Sequence, residues 1–410
     1  MRLLNSKSLK LQQFFDGNGV PKYAILSHTW GEEEFLFTDV TNGTGKGKIG
    51  LTKVIKCCEQ AVKQGYDWVW VDTCCIDKSS SAELTESINS MYYWYKTASV
   101  CYAYLEDVPG GKSQDQFTRA FGSSRWFKRG WTLQELIAPG NVEFYAADWS
   151  FLGTKLALQE LVSTITTIDN GVLRGAEPAT CNVAQRMSWA SSRDTTRIED
   201  KAYCLLGLFN VNMPLLYGEK EKAFMRLQEE ILKTTEDYTL FAWHDHATFG
   251  ALSSISSIYD TVLAHSPANF CGRGCNLCPE RRWSYSELKL VEEGNLGKGE
   301  APALTGSRGL RLDLPARHEG HSNAGDLWVY LFCEVGSHRD RLCLVLQAIE
   351  AIGSQYKRIG LKQIPQEEFH GFKNCIVHII ACPIRNFNDR YVKSDLRYNS
   401  AKFFKDIHCH

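Results

Sequence analysis

Two periodicities divide the first 150 residues of the chain. Short, nearly unbroken apolar runs at residues 23–27, 68–72, 100–105 and 142–146 are rich in Ile, Val, Trp, Tyr and Phe, the composition of strands buried on both faces. Between them the spacing changes to that of a helix. Leu51, Val54, Ile55, Cys58 and Val62 mark one over residues 51–64, with Gly65 as its terminator. Leu84, Ile88, Met91, Tyr92 and Tyr95 mark another over 83–99, and a third runs up to Ile137, where Pro139-Gly140 stops it. A β-α-β-α-β-α-β order predicts a doubly wound α/β domain: a mainly parallel sheet, flavodoxin-like in type, with helices on both faces. In such sheets the ligand site lies beyond the carboxyl ends of the strands.

The pattern then shifts. Helical spacing dominates at 156–168, 183–190, 201–208 and 219–232, and the charged stretch Asp194-Thr-Thr-Arg-Ile-Glu-Asp200 reads as the start of an apolar helix. From about residue 253 the apolar runs become short (310–314, 327–333, 341–347 and 375–381), separated by Gly, Pro and charged turns, which predicts strands. The expected organisation is an α/β domain over 1–150, a helical extension packed on it over 151–250, and a smaller β-rich domain over 251–410.

Composition adds limits. With 410 residues, 44% hydrophobic and 23% charged, the chain is long enough for two or three globular domains. A formal net charge of −1 provides no global field for nucleic acid or an anionic membrane, so neither is expected as a partner. No apolar run reaches the length of a membrane span, and the opening residues lack the pattern of a secretory signal. The 15 cysteines fall mainly inside apolar patterns, as reduced thiols do. A reducing, cytoplasmic setting is therefore expected.

Candidate chemistry gathers at the strand ends. Ser27, His28, Trp30 and Gly31 follow the first strand, Asp72, Cys75 and Asp77 the second, and Glu135 lies on the helix after the third. On a continuous helix Lys128, Trp131 and Glu135 would share one stripe, opposite a core face of Trp126, Leu133, Leu136 and Ile137. An aromatic plate beside an acid, with Lys128 and Arg129 close by, suits a nucleotide-like ligand; the plainer alternative is a solvated glutamate next to a half-buried tryptophan. The Gly-Lys-rich stretch 42–48 fails as a phosphate loop, because its glycines are wrongly spaced and no strand runs into it. Cys271, Cys275 and Cys278, with His265 nearby, are weighed as a structural zinc site against reduced cysteines in a turn; their spacing is not that of a standard zinc ribbon. Cys74-Cys75 lacks a recognisable histidine partner, and no Gly-x-Ser-x-Gly elbow is present.

Three blocks, Tyr23-Ala-Ile-Leu-Ser-His-Thr-Trp-Gly31, Trp70-Val-Asp-Thr-Cys-Cys-Ile-Asp77 and Arg129-Gly-Trp-Thr-Leu-Gln-Glu-Leu136, resemble the signature blocks of the fungal heterokaryon incompatibility (HET) domain. Residues 197–208 and 263–270 look like the continuation seen in many fungal HET proteins, so the resemblance covers roughly residues 1–270. It implies a role in fungal non-self recognition and cell death. HET domains also resemble Toll/interleukin receptor (TIR) domains, which share the doubly wound sheet. Many of those cleave NAD+ with a glutamate in a Trp-Cys-x-x-Glu-Leu-like helix. Trp131-Thr-Leu-Gln-Glu135-Leu136 is similar to that motif, with Thr132 in place of Cys.

The resemblance thus implies a TIR-like sheet and NAD+ or a related nucleotide as substrate. It implies Glu135 as the catalytic residue, without a metal or a required cofactor. Ser27, His28, Trp30, Gly31, Asp72, Asp77, Arg129 and Trp131 are the candidate substrate-binding residues, with local structural roles favoured for Asp72 and Asp77. A homo-oligomer when active and an incompatibility-protein partner are the implied assemblies. The rival reading is a non-catalytic module that signals by assembling partners.

Overall fold

The computed structural model describes residues 1–15, 19–244, 262–271, 288–290, 303–304, 310–318, 327–335, 339–348, 355–369 and 372–379. The chain divides into two compact units: residues 1–181, 186–231 and 265–268 in the first, and residues 182–185, 232–264 and 269–410 in the second.

The first unit is built on a seven-stranded sheet. Its strands are β1 (Arg2–Asn5), β2 (Leu11–Gln13), β3 (Ala24–His28), β4 (Trp68–Trp70), β5 (Val100–Tyr104), β6 (Val142–Tyr145) and β7 (Phe151–Thr154), in the order β2-β1-β4-β3-β5-β6-β7. The four central strands are parallel, while β1 and β7 join antiparallel on either side. The four central strands are those that the apolar runs predict. The β1–β2 hairpin and β7 lie outside that pattern, because they are short strands at the sheet edges. Strand β3 is buried along its whole length, as a strand covered on both faces must be.

Helices α1 (Phe37–Asn42), α2 (Ile49–Lys63), α3 (Asp72–Cys75), α4 (Ser81–Thr97), α5 (Gln114–Ser123) and α6 (Thr132–Ile137) connect the strands. Helix α2 buries Gly50, Lys53, Val54, Cys57, Cys58 and Ala61, a stripe at helical spacing. That stripe is turned from the expected one: Val62 is 42% exposed and Lys53 is buried. Ser80 caps α4 by accepting from the Glu83 amide at 3.3 Å. The sheet order sends the chain from β3 to β4 on one side and then back across to β5 on the other. A topological switch point therefore lies between β3 and β5, with Ser27 and His28 ending β3 beside it.

The second unit contains β8 (Leu288–Leu290), β9 (Ala303–Leu304), β10 (Leu310–His318), β11 (Leu327–Val335), β12 (Asp340–Ala348), β13 (Gln355–Ile364) and β14 (Lys373–Ile379). All its pairings are antiparallel except β13 with β14. Strands β11-β12-β13-β14-β10 follow one another, and β10 also pairs with β11. This closes β10–β14 into a ring, with β8 paired to β11 and β9 to β10 outside it. The β-rich texture of the C-terminal sequence is realised as this sheet. Among the described residues no helix is long and apolar enough to cross a membrane.

Candidate functional site

Glu135 is buried, with 7% of its surface exposed. This corrects the expected outward stripe. Residues Arg125–Lys128 form one turn of 3-10 helix, Arg129 leaves it in an extended conformation, and α6 begins only at Thr132. Lys128 and Glu135 therefore share no helix, and Lys128 points to solvent. The break has a physical cause in the chain that packs there. The Gly130 amide donates to the Asp194 carbonyl at 2.8 Å, and the Asp194 amide donates to the Lys128 carbonyl at 2.6 Å. A side chain at Gly130 would lie 2.5 Å from the Thr195 methyl group.

The Glu135 carboxyl accepts a short hydrogen bond from the Ser27 hydroxyl. Ser27 in turn accepts from the Trp126 indole N–H at 2.8 Å. Because the indole occupies a lone pair of Ser27, the serine proton is directed at the carboxyl. Trp126, expected only as core, thus has a polar task. Burial pushes Glu135 up to about 8, helped by the negative charge of Asp72, against the Ser27 hydrogen bond, the Arg129 charge and the nearby Tyr95 hydroxyl. At neutral pH its carboxyl is mainly protonated. The Tyr95 hydroxyl gives its one proton to the Leu26 carbonyl at 3.0 Å, and the Cys101 thiol reaches the Glu135 carbonyl at 3.8 Å. Burial, then the Glu135 charge, raises both Tyr95 and Cys101 well above their ordinary values, so neither is an ionised nucleophile.

A second polar group surrounds His28. Its ring nitrogens stand 3.6 Å from Glu34 and 3.9 Å from Asp72. Glu34 accepts from the Gly31 amide at 2.6 Å and from Lys53 at 2.5 Å. Burial pushes Glu34 up, but the neighbouring His28, together with the hydrogen bonds from the Gly31 amide and Lys53, outweighs it and leaves the carboxyl at about 2. Asp72 accepts from the Trp30 indole at 2.8 Å and lies 3.7 Å from Lys78. The Lys78 ammonium sits 3.5 Å over the Trp30 ring, within cation–π range. Burial draws Lys78 below the ordinary lysine value, against the pull of Asp72.

The fold therefore assembles Ser27, His28, Trp30, Asp72, Arg129 and Glu135, drawn from three separate sequence blocks. Other expected residues fall outside this group. The Gly31 amide is committed to Glu34, so it is not a free anion donor. Asp77 accepts from the Ser79 amide and hydroxyl at 3.0 and 2.6 Å, a local turn of the kind expected for it. Trp131 donates to Asp200 at 3.3 Å, linking α6 to the segment 193–204. Glu34, Lys53, Lys78, Tyr95 and Arg193 join the site without a motif to announce them. For Lys53 the one visible signal is a lysine on the inner stripe of an amphipathic helix.

Among the described residues no group of three or more His, Cys, Asp or Glu side chains could hold a metal ion. Cys271 is buried, while Cys275 and Cys278 lie outside the described residues.

The first unit is thus an α/β fold with a mainly parallel sheet and a buried acid packed against its central strand. Residues 23–111 match the heterokaryon incompatibility protein (HET) family, and residues 222–276 match a domain of unknown function, DUF8212. The chain is also 48% identical over 221 residues, 52% of its length, to the vegetative incompatibility protein HET-E-1 of Podospora anserina, and it spans 16% of that protein. Residues 23–111 thus resemble a heterokaryon incompatibility domain. Glu135 falls beyond the matched interval. No solved structure matches the chain.

Proposed function

We propose that this chain acts in heterokaryon incompatibility, and that its first unit cleaves the bond between nicotinamide and ribose in NAD+ through Glu135. The observation that carries this reading is the carboxyl of Glu135, buried beside the carboxyl end of β3 and hydrogen-bonded by Ser27. As the C1′–N1 bond breaks, its electron pair leaves with nicotinamide and positive charge develops on the ribose. A carboxylate facing that carbon stabilises the charge without a metal. The cationic nicotinamide ring of the bound substrate would itself favour the ionised form of Glu135. Arg129 would hold the pyrophosphate, and Trp30 and Trp131 would provide aromatic contacts. On this reading the parallel sheet is a TIR-like one, active as a homo-oligomer in the cytoplasm.

The test is nicotinamide release from NAD+, followed by chromatography, with ATP and NADP+ in the same panel. Glu135→Ala should abolish release while the far-UV spectrum stays unchanged. Release by that variant at the wild-type rate would remove the assignment. The second reading is a non-catalytic module that signals by assembling an incompatibility-protein partner. It is favoured by the internal satisfaction of the Glu135 carboxyl and the Gly31 amide. No turnover by the wild-type chain at high concentration, with crowding agents present, would support it instead.

A further inference from the structure

The helix that carries Glu135 has only six residues, too few to be stable on its own. Two buried cations, both beyond residue 150, grip it from opposite ends. At its start Arg193 donates from Nη1 to the Arg129 carbonyl and to the Thr132 hydroxyl, each at 3.0 Å, while its Nε donates to the Trp189 carbonyl at 3.2 Å. At its end Lys155 donates to the Leu136 carbonyl at 3.2 Å and to the Pro139 carbonyl at 2.6 Å. These are the outward-facing carbonyls at a helix C-terminus, where a cation is favoured.

Both side chains are almost wholly enclosed, Lys155 at 3% and Arg193 at 6% exposure. Lys155 therefore has no solvent to stabilise its charge, and burial draws it down to about 8. Arg193 keeps one guanidinium nitrogen, Nη2, without a hydrogen-bond partner. A buried donor left unpaired is costly, so plain packing economy does not account for an arginine there.

We propose that Arg193 and Lys155 are positioning residues that hold the Glu135 helix in register from its two ends and so fix where the Glu135 carboxyl stands. This rests on the NAD+-cleaving reading only for its effect on turnover. The ionisation of Glu135 reports on the clamp independently. The charged and titratable groups that face Glu135 are Asp72, Tyr95, Cys101, Arg129, Arg193 and Cys204; Lys155 faces Cys101.

The experiment uses the full chain. Glu135 is titrated through tryptophan fluorescence, since Trp126 is tied to it through Ser27; the wild-type curve minus that of Glu135→Gln isolates its midpoint. Arg193→Gln should move the midpoint upward by at least half a pH unit, and Lys155→Met should shift or broaden it. Arg193→Lys, which keeps the charge, should restore most of the midpoint. In nicotinamide release both charge-removing variants should lose at least 10-fold in kcat with less than 3-fold change in KM, the signature of a misplaced acid rather than lost binding. If Arg193→Gln or Lys155→Met does not fold, Arg193→Lys and Lys155→Arg carry the same comparison, with a midpoint near wild type and a reduced kcat expected. Folded variants with unchanged midpoint and unchanged kcat overturn the clamp. A wild-type chain with no turnover sinks the NAD+ reading and leaves the titration to decide the clamp.

Discussion

The Ser27 hydroxyl meets the Glu135 carboxyl across 108 positions of sequence. One residue ends the central parallel strand and the other lies on the short helix packed against it, so the contact exists only when β3 and α6 are correctly docked. Trp126 completes the arrangement by donating to Ser27, which makes the serine a donor with a fixed direction.

Ser27→Ala should therefore do two things at once. It leaves the buried Trp126 N–H without an acceptor, at a cost of roughly 1–3 kcal/mol, readable in urea unfolding. It also removes a hydrogen bond that holds Glu135 toward its ionised form, so the Glu135 midpoint should rise further. A midpoint that stays put or falls would contradict this geometry.

Glu135 also sets a pH dependence of stability. Its folded value, about 8, lies above the ordinary 4.5, so the folded state binds the proton more tightly than the unfolded chain. The associated stability is fully present below about pH 4.5 and is lost as pH rises through 8. At ~1.4 kcal/mol per pH unit the loss approaches roughly 4–5 kcal/mol by pH 9. Glu135→Gln copies the protonated form. It should match wild type near pH 5 and exceed it in thermal stability at pH 9, and equal pH profiles for the two proteins would refute the assignment.

Gly50 offers a steric test of the His28 group. A side chain there would fall 2.6 Å from both the Glu33 carbonyl and the Phe35 amide, and 2.7 Å from the Glu34 Cα. These are backbone atoms, which cannot rotate aside. Gly50→Ala should cost about 1–3 kcal/mol through overpacking and displace Glu34 from Lys53 and the Gly31 amide. The expected signature is an acid limb of the unfolding curve moved to higher pH, because Glu34 would leave its depressed value near 2 and lose stability sooner on acidification. An unchanged acid limb would show that Glu34 had not moved.

Much of the α/β architecture was legible because it rests on local periodicity. The runs at 23–27 and 100–105 became β3 and β5 nearly residue for residue, since a strand buried on both faces must be continuously apolar. Lys53 shows where such reading fails. Hydropathy places it outside and picks Val62 for the core, yet Glu34 draws Lys53 inward through an ion pair that no local pattern encodes. The Glu135 helix fails similarly: apolar spacing allows a continuous helix through residues 126–137, but Gly130 weakens it and the contact with Asp194 breaks it.

By itself, the sequence determined the order of strands and helices in the first unit, the strand-rich character of the second, and the blocks that resemble the HET domain. Hydrophobic burial and backbone hydrogen bonding act over a few residues and leave a local imprint. Tertiary structure alone decided that Glu135 is buried and protonated rather than solvated. It also decided that Ser27 and Trp126 form its hydrogen-bond chain and that Arg193 and Lys155 grip its helix. Desolvation and charge pairing depend on which distant segments meet, and that is settled only when the chain has closed around them.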